Sequence, residues 1–334
     1  MEPLLEEMNY AEALHQAADY LLSEHQDLFF IGQGLWSPWY VGDTMKGLEK
    51  KYGKHRVVDT PVSESAVTGL AFGASIAGKK SVVVHPRMDF MLYAADTIIN
   101  QAAKWHYMFG SKVPLNFTVR CIVNRGGAQG AQHSQALHSF FCHIPGLRVV
   151  MPYSVGDARD LLIASALSPD PVIFIEDRWL YSERANLSKV SAPWNLSEQK
   201  PKVVLKGDAI TVVASGYMVK VALDAVESLA LGNIYPEVID LRVLSPLDLS
   251  AVFASISKTG RLLVVDGGWE SCGLGAEVIA RVVENPSFIK KSVHVSRLSL
   301  PCHPAPSNLK LEDHYYTSPK QLASRILSMC KSVL

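Results

Sequence analysis

RVVDTPVSESAVTGLAFGASIAGKKSVVVH, residues 56–85, reads as two short β-branched strands, RVVDT (56–60) and SVVVH (81–85), around one helix. Pro61 ends the first strand, Ser63 is a good helix N-cap, and Glu64 falls at the first helical position, where the helix dipole favours an acid. Strand, helix and strand in about thirty residues make the unit from which parallel sheets are built.

The alternation continues in both directions. Strand candidates are LFFIG (28–32), LNFTVRCIV (115–123), LRVVMP (147–152) and PVIFIE (171–176). Between them, residues 96–108 place Ile98, Ile99, Ala102, Ala103 and Tyr107 at helical spacing. SERANLSKVSAPWNLSEQKPK, residues 182–202, is polar, carries two prolines and holds no period, so it reads as a linker. A second series follows, with AITVVAS (209–215), PEVIDL (236–241), RLLVVD (261–266) and SVHVSRL (292–298), and helical stretches over 220–230 and 273–283. The expected fold class is α/β, two parallel-sheet domains: residues 1–185, a linker over 186–202, and residues 203–334.

With 334 residues, each half is long enough for its own core, and 48% hydrophobic with 19% charged residues is the balance of a globular protein. Lys and Arg number 32, as do Asp and Glu, so the formal net charge is zero. That argues against nucleic acid or anionic membrane as the main partner, since both need an excess of cations. Cys121, Cys142, Cys272, Cys302 and Cys330 are odd in number, widely spaced and without a C-x-x-C pair, which points away from a disulfide framework or zinc. MEPLLEEMNYAEAL is acidic and unlike a signal or transit peptide, and no apolar run reaches the roughly 18 residues of a membrane span. A cytoplasmic location is the expectation.

Several common motifs are missing: G-x-G-x-x-G after a strand, G-x-x-x-x-G-K-[ST] and G-x-S-x-G. The positive signals are three. Glu64 follows the carboxyl end of a parallel strand, where open α/β sheets bind ligands, and a half-buried carboxylate there can hold or transfer a proton; it can equally be a capping acid. Phe90, in HPRMDF (85–90), is placed to pack on a planar ring or simply to fill the core. GGAQGAQHSQ (126–135) joins glycines that admit positive φ to His133, a side chain able to donate or accept a proton in a reaction. His138 and His143 follow at five-residue spacing, which spreads the three histidines over different helical faces and disfavours a metal cluster.

In order and spacing, RVVDTPVSE, MDF…D…INQAAKWHYM, AQHSQ…PGLRVVMP and DPVIFIE resemble the β subunit of the 2-oxo acid dehydrogenase decarboxylating component. Pyruvate, branched-chain and acetoin dehydrogenases are members of that family. DLR…SPLD, KTGRLLVVD, GAE and LED resemble the transketolase C-terminal-like domain that accompanies it, and together the segments span about residues 9–330. The resemblance implies a thiamin-diphosphate-binding, pyrimidine-type fold plus a transketolase C-terminal-like domain. It also implies an oxidoreductase that decarboxylates a 2-oxo acid and passes the acyl group to lipoamide. The active site would be shared with an α subunit in a heterotetramer of two α and two β chains, itself a client of a lipoyl acyltransferase core. The partner would supply most ligands of the diphosphate and Mg²⁺ through a G-D-G…N-N motif; here the two G-D-A triplets at 156–158 and 207–209 have no Asn-Asn pair downstream.

Residue by residue, the resemblance makes Glu64 the glutamate that hydrogen-bonds the pyrimidine nitrogen and helps activate the thiazolium carbon. Phe90 becomes the aromatic packed on the pyrimidine, and His133 the histidine of the lipoyl half-reaction. Gln33 and Met88 complete the cofactor-binding set. The chain departs from the family at Ile31–Gly32–Gln33–Gly34, where members usually read G-E-D-V or G-E-E-V. Gln cannot ionise, so this position can hydrogen-bond but cannot take up or release a proton as the family acid does. His85–Pro86–Arg87 also replaces the usual lead into the second motif and puts a cation near the site. Two other functions follow from such changes: transfer of the carbanion to an aldehyde or ketone, as in transketolases and acyloin synthases, or a non-catalytic scaffold subunit. Retention of Glu64 and His133 speaks against the scaffold.

Overall fold

In the computed structural model, which describes residues 5–190, 192–230, 232–289 and 293–331, residues 56–85 form a βαβ unit. β3 (Val57–Thr60) leads into a helix, Glu64–Ile76, and β4 (Lys80–His85) follows. The helix buries Thr68, Ala71, Phe72 and Ser75, one stripe at helical spacing, and leaves Leu70 and Ile76 exposed. Ser63 occupies the N-cap position, but its side chain makes no capping bond.

By Cα packing the chain separates into two units, Met1–Arg125 with Phe140–Gln199, and Gly126–Ser139 with Lys200–Leu334. The sequence reading followed the chain and kept 126–139 in the first domain; packing groups that loop with the second. In the first unit β2 (Leu28–Gln33), β5 (Phe117–Val123), β6 (Arg148–Val150) and β7 (Val172–Asp177) join β3 and β4 in the order β6-β7-β5-β4-β2-β3, all parallel. Every residue of β5 and β7 is buried, as expected of strands covered on both faces. The helix Tyr10–Glu24, closed at its start by a capping box between Asn9 and Glu12, packs on the helix Val155–Leu167, whose buried residues go all the way round.

Two local expectations change. β1 (Glu6–Asn9) pairs antiparallel with β8 (Arg184–Leu187), so part of the polar stretch 182–202 is a strand. Its partner lies at the other end of the unit, where local periodicity cannot reveal it. Residues 96–108 are helical, but as a π-helical turn, Asp96–Ala102, preceded by a 3₁₀ segment, Met88–Ala94, and followed by an α-helix, Ala103–Phe109. Asp96 accepts from the side chains of Asn100 and Gln101 at 2.8 Å each, an i+4 and i+5 pair that matches the wider turn.

The second unit holds β9 (Lys202–Leu205), β10 (Ile210–Ala214), β11 (Pro236–Asp240), β12 (Val243–Ser245), β13 (Arg261–Trp269) and β14 (His294–Leu300). Its sheet runs β14-β13-β10-β11-β9, with β9 antiparallel at the edge and the rest parallel. Of the expected strand 292–298, Ser292 lies outside the described residues, and the strand itself runs from His294 to Leu300. All five cysteines are free thiols.

Candidate functional site

The strand order of the first unit reverses at β2: the chain moves outward to β3, then crosses to β4 on the other side. Open α/β sheets bind ligands at the carboxyl ends of strands where the order reverses. A cleft lies there, lined by Gly32 and Gln33 from β2, Thr60 and Pro61 after β3, Ser63 and Glu64 at the helix start, and Val84, His85 and Pro86 at the end of β4. Gly32 is required by this geometry, because a Cβ there would sit 2.4 Å from the Val84 carbonyl oxygen. The turn after Gln33 is held by Asp59, whose carboxylate accepts from the Gly34 N–H at 2.6 Å.

Glu64 is half-buried at the first turn of its helix and shares the cleft with Gln33, also half-buried. A further polar group in the cleft is His85. Burial lowers its pKa to about 4, and its Nε2 lies 3.0 Å from the Thr68 hydroxyl. His85 is therefore neutral at pH 7 and adds no cation to the cleft. Phe90 is half-buried in the 3₁₀ segment, and Met88 of the same segment is fully enclosed, as a core side chain is.

His133 belongs to the other unit. Its loop carries four left-handed residues, Gly126, Gly127, Ala128 and Gly130, three of them glycines that bear the conformation without strain. The loop is tied down at three points inside the second unit. The Ala128 N–H donates to the buried Glu312 carboxylate at 2.8 Å, His138 Nε2 meets Asp266 Oδ1 at 2.7 Å, and Ser139 Oγ accepts from the Leu274 N–H at 2.9 Å. His133 itself is half-buried.

Sequence reasoning passed over the His138–Asp266 pair, because 128 residues separate its members. The available signal was Asp266 followed by two glycines in a strand. Burial pushes the Asp266 carboxyl up, but the His138 ring and the N–H groups of Gly268 and Gly275 outweigh it and hold the acid low. Among the described residues, no group of three or more His, Cys, Asp or Glu side chains is arranged to hold a metal, and no helix is long and apolar enough to cross a membrane.

The arrangement thus offers a carboxylate, a neutral amide and a neutral imidazole around one cleft, which can hold and move a proton on a polar ring. Residues 6–183 match the family model for the transketolase pyrimidine-binding domain, and residues 199–322 that for the transketolase C-terminal domain. The pyruvate dehydrogenase E1 component subunit beta-2 of Oryza sativa subsp. japonica is 37% identical over 92% of this chain and 82% of its own. The beta subunit of the acetoin:2,6-dichlorophenolindophenol oxidoreductase of Cupriavidus necator is 38% identical over 84% of this chain and 81% of its own. Among solved structures, a split-gene transketolase in an inactive β4 tetramer superposes with a TM-score of 0.75 at 20% identity, over 97% of this chain and 98% of that one. A pyrimidine-binding domain and a transketolase C-terminal domain, matched over nearly all of the chain, place this protein in the β-subunit family of the 2-oxo acid dehydrogenase decarboxylating component.

Proposed function

We propose that the chain is the β subunit of a thiamin-diphosphate-dependent 2-oxo acid dehydrogenase. With an α subunit, in a heterotetramer of two α and two β chains, it decarboxylates a 2-oxo acid and passes the acyl group to lipoamide. One observation carries the reading: Glu64 stands in the cleft at the strand reversal of a pyrimidine-binding domain. The cleft suits a nitrogen heterocycle. Its polar lining comprises one carboxylate, one amide, the Thr60 and Ser63 hydroxyls, and one imidazole kept neutral by burial. Thiamin diphosphate, when bound, supplies the acidic carbon and the electron sink that decarboxylation needs.

In this reading Glu64 holds the proton on the ring nitrogen, Gln33 donates or accepts without changing charge, and Phe90 packs on the ring face. Met88 supports that wall from the core. His133 serves the transfer to lipoamide as a proton donor or a stabiliser of developing charge. The diphosphate and Mg²⁺ fall to the partner subunit. Delivery of the acyl group implies a lipoyl acyltransferase core, and the expected compartment is the cytoplasm.

The test is co-expression with an α-type partner, then a panel of 2-oxo acids assayed with and without lipoamide, thiamin diphosphate and Mg²⁺. Activity that needs both chains and both cofactors is expected. Full activity from this chain alone would overturn the proposal.

A further inference from the structure

A cluster of cations lies on the same sheet edge as the cofactor cleft. β4, β5 and β7 are adjacent and parallel, with His85 opposite Cys121 and Val123 opposite Asp177. Each exit carries an arginine: Arg87 two residues beyond β4, Arg125 two beyond β5, and Arg178 one beyond β7. Neighbouring strands are about 4.8 Å apart, so the three guanidinium stems rise from one small patch. Asn124 Nδ2 donates to the Pro86 carbonyl at 3.3 Å and ties the exits of β4 and β5, and Pro86 also lines the cleft.

Two of the three arginines, Arg125 and Arg178, are incompletely satisfied among the described residues. The Arg125 side chain is only 1% exposed, and its Nε donates to Asp177 Oδ2 at 2.6 Å. Its Nη1 and Nη2 are both buried with no acceptor among the described residues. Arg178 donates through Nη2 to the Tyr40 carbonyl, while its Nε is also buried without an acceptor among the described residues. Arg87, half-buried, has its pKa lowered first by burial and then by the charge of Arg178. The acids on the same exits are Asp89 and Asp177, two against three arginines.

Arginine keeps its charge in proteins, and buried N–H groups are nearly always paired. A guanidinium engaged at Nε alone still presents the Nη1–Nη2 edge, whose two donors match the two oxygens of a carboxylate or phosphate. We propose that Arg87, Arg125 and Arg178 form an oxyanion subsite beside the cofactor cleft, which takes the phosphate or second carboxylate of a small anionic substrate. Arg125 forms the floor, and the half-buried Arg87 and Arg178 form the mouth. Calling the ligand a substrate rests on the function proposed above; the subsite itself does not.

Binding is measured on the full chain by calorimetry, with inorganic phosphate and with 2-oxoglutarate, against chloride at equal ionic strength. The expected result is saturable binding of at least one of the two probes, weakened about tenfold or more in R87Q and R178Q and abolished in R125M. R87Q and R178Q change half-exposed side chains, so they keep the test decisive if R125M does not fold. Binding of phosphate alone, or of the dicarboxylate alone, supports the subsite and identifies the oxyanion. E64Q should bind the probe as the wild type does while losing turnover with the α partner, which separates this site from the cofactor cleft. No binding beyond chloride, or equal binding by the wild type, R87Q and R178Q, would overturn the proposal.

Discussion

Glu64 and His85 stand in one cleft, a half-buried acid beside an imidazole kept neutral by burial. Replacing Glu64 by Gln keeps the shape and removes the ionisable proton site. With the α partner present, E64Q should slow proton exchange at the thiazolium carbon by about 10²–10⁴-fold, while circular dichroism stays unchanged. Exchange at the wild-type rate would refute the role. His85 affects stability rather than chemistry. Its folded pKa of about 4 lies below the usual 6.5, so between these values the unfolded chain binds the extra proton. Its contribution is therefore complete above pH 6.5 and fades as the pH falls toward 4, by about 3 kcal/mol in all. Urea titrations across this range should show a shallower acid loss in H85Q than in the wild type. Glu64 was legible from the sequence because it sits at a strand-to-helix turn, where position alone implies a ligand edge. The state of His85 was not, because desolvation depends on what packs around it.

At the level of elements, the loop 126–139 illustrates how a flexible backbone is made rigid. Its left-handed residues leave it free of regular structure, so its position depends on the side-chain ties to Glu312, Asp266 and Leu274. In H138A the Asp266 carboxylate keeps only the Gly268 and Gly275 N–H donors and remains buried. Removing one member of a buried pair costs about 3 kcal/mol, whereas the H138A/D266N double variant should cost less because no unpaired charge remains. Denaturant unfolding of the three proteins checks the order, and limited proteolysis should show faster cutting within 126–139 in H138A. A double variant no more stable than H138A would refute the charge argument. The π-helical turn at Asp96–Ala102 is a second element that periodicity reports only as helical, since i+4 and i+5 spacing differ by one residue.

For the whole molecule, the division of candidate residues matters most. Gln33, Glu64, Met88 and Phe90 lie in the first unit, and His133 lies in the second. The first unit also leaves Trp39, Tyr93 and Tyr107 open to solvent, large aromatic surfaces of the kind a subunit partner covers. Turnover should be absent from the isolated chain and rise with added α subunit to a plateau at equal chain numbers, as read by decarboxylation of a 2-oxo acid. A plateau at another ratio would argue against a heterotetramer of paired chains.

The α/β class, the two successive strand series and the placement of Glu64 could be read from residue order, because a parallel sheet writes its strands as short apolar runs and its ligand edge at their carboxyl ends. Family motifs spaced along the whole chain added the cofactor class. Folding alone decided the rest: that β8 pairs with β1, that 126–139 packs with the second unit, that His138 meets Asp266, and that three arginines leave one sheet edge together. Each of these joins residues distant in the chain, and the energies involved, desolvation and the pairing of buried charge, do not exist until the neighbours are in place.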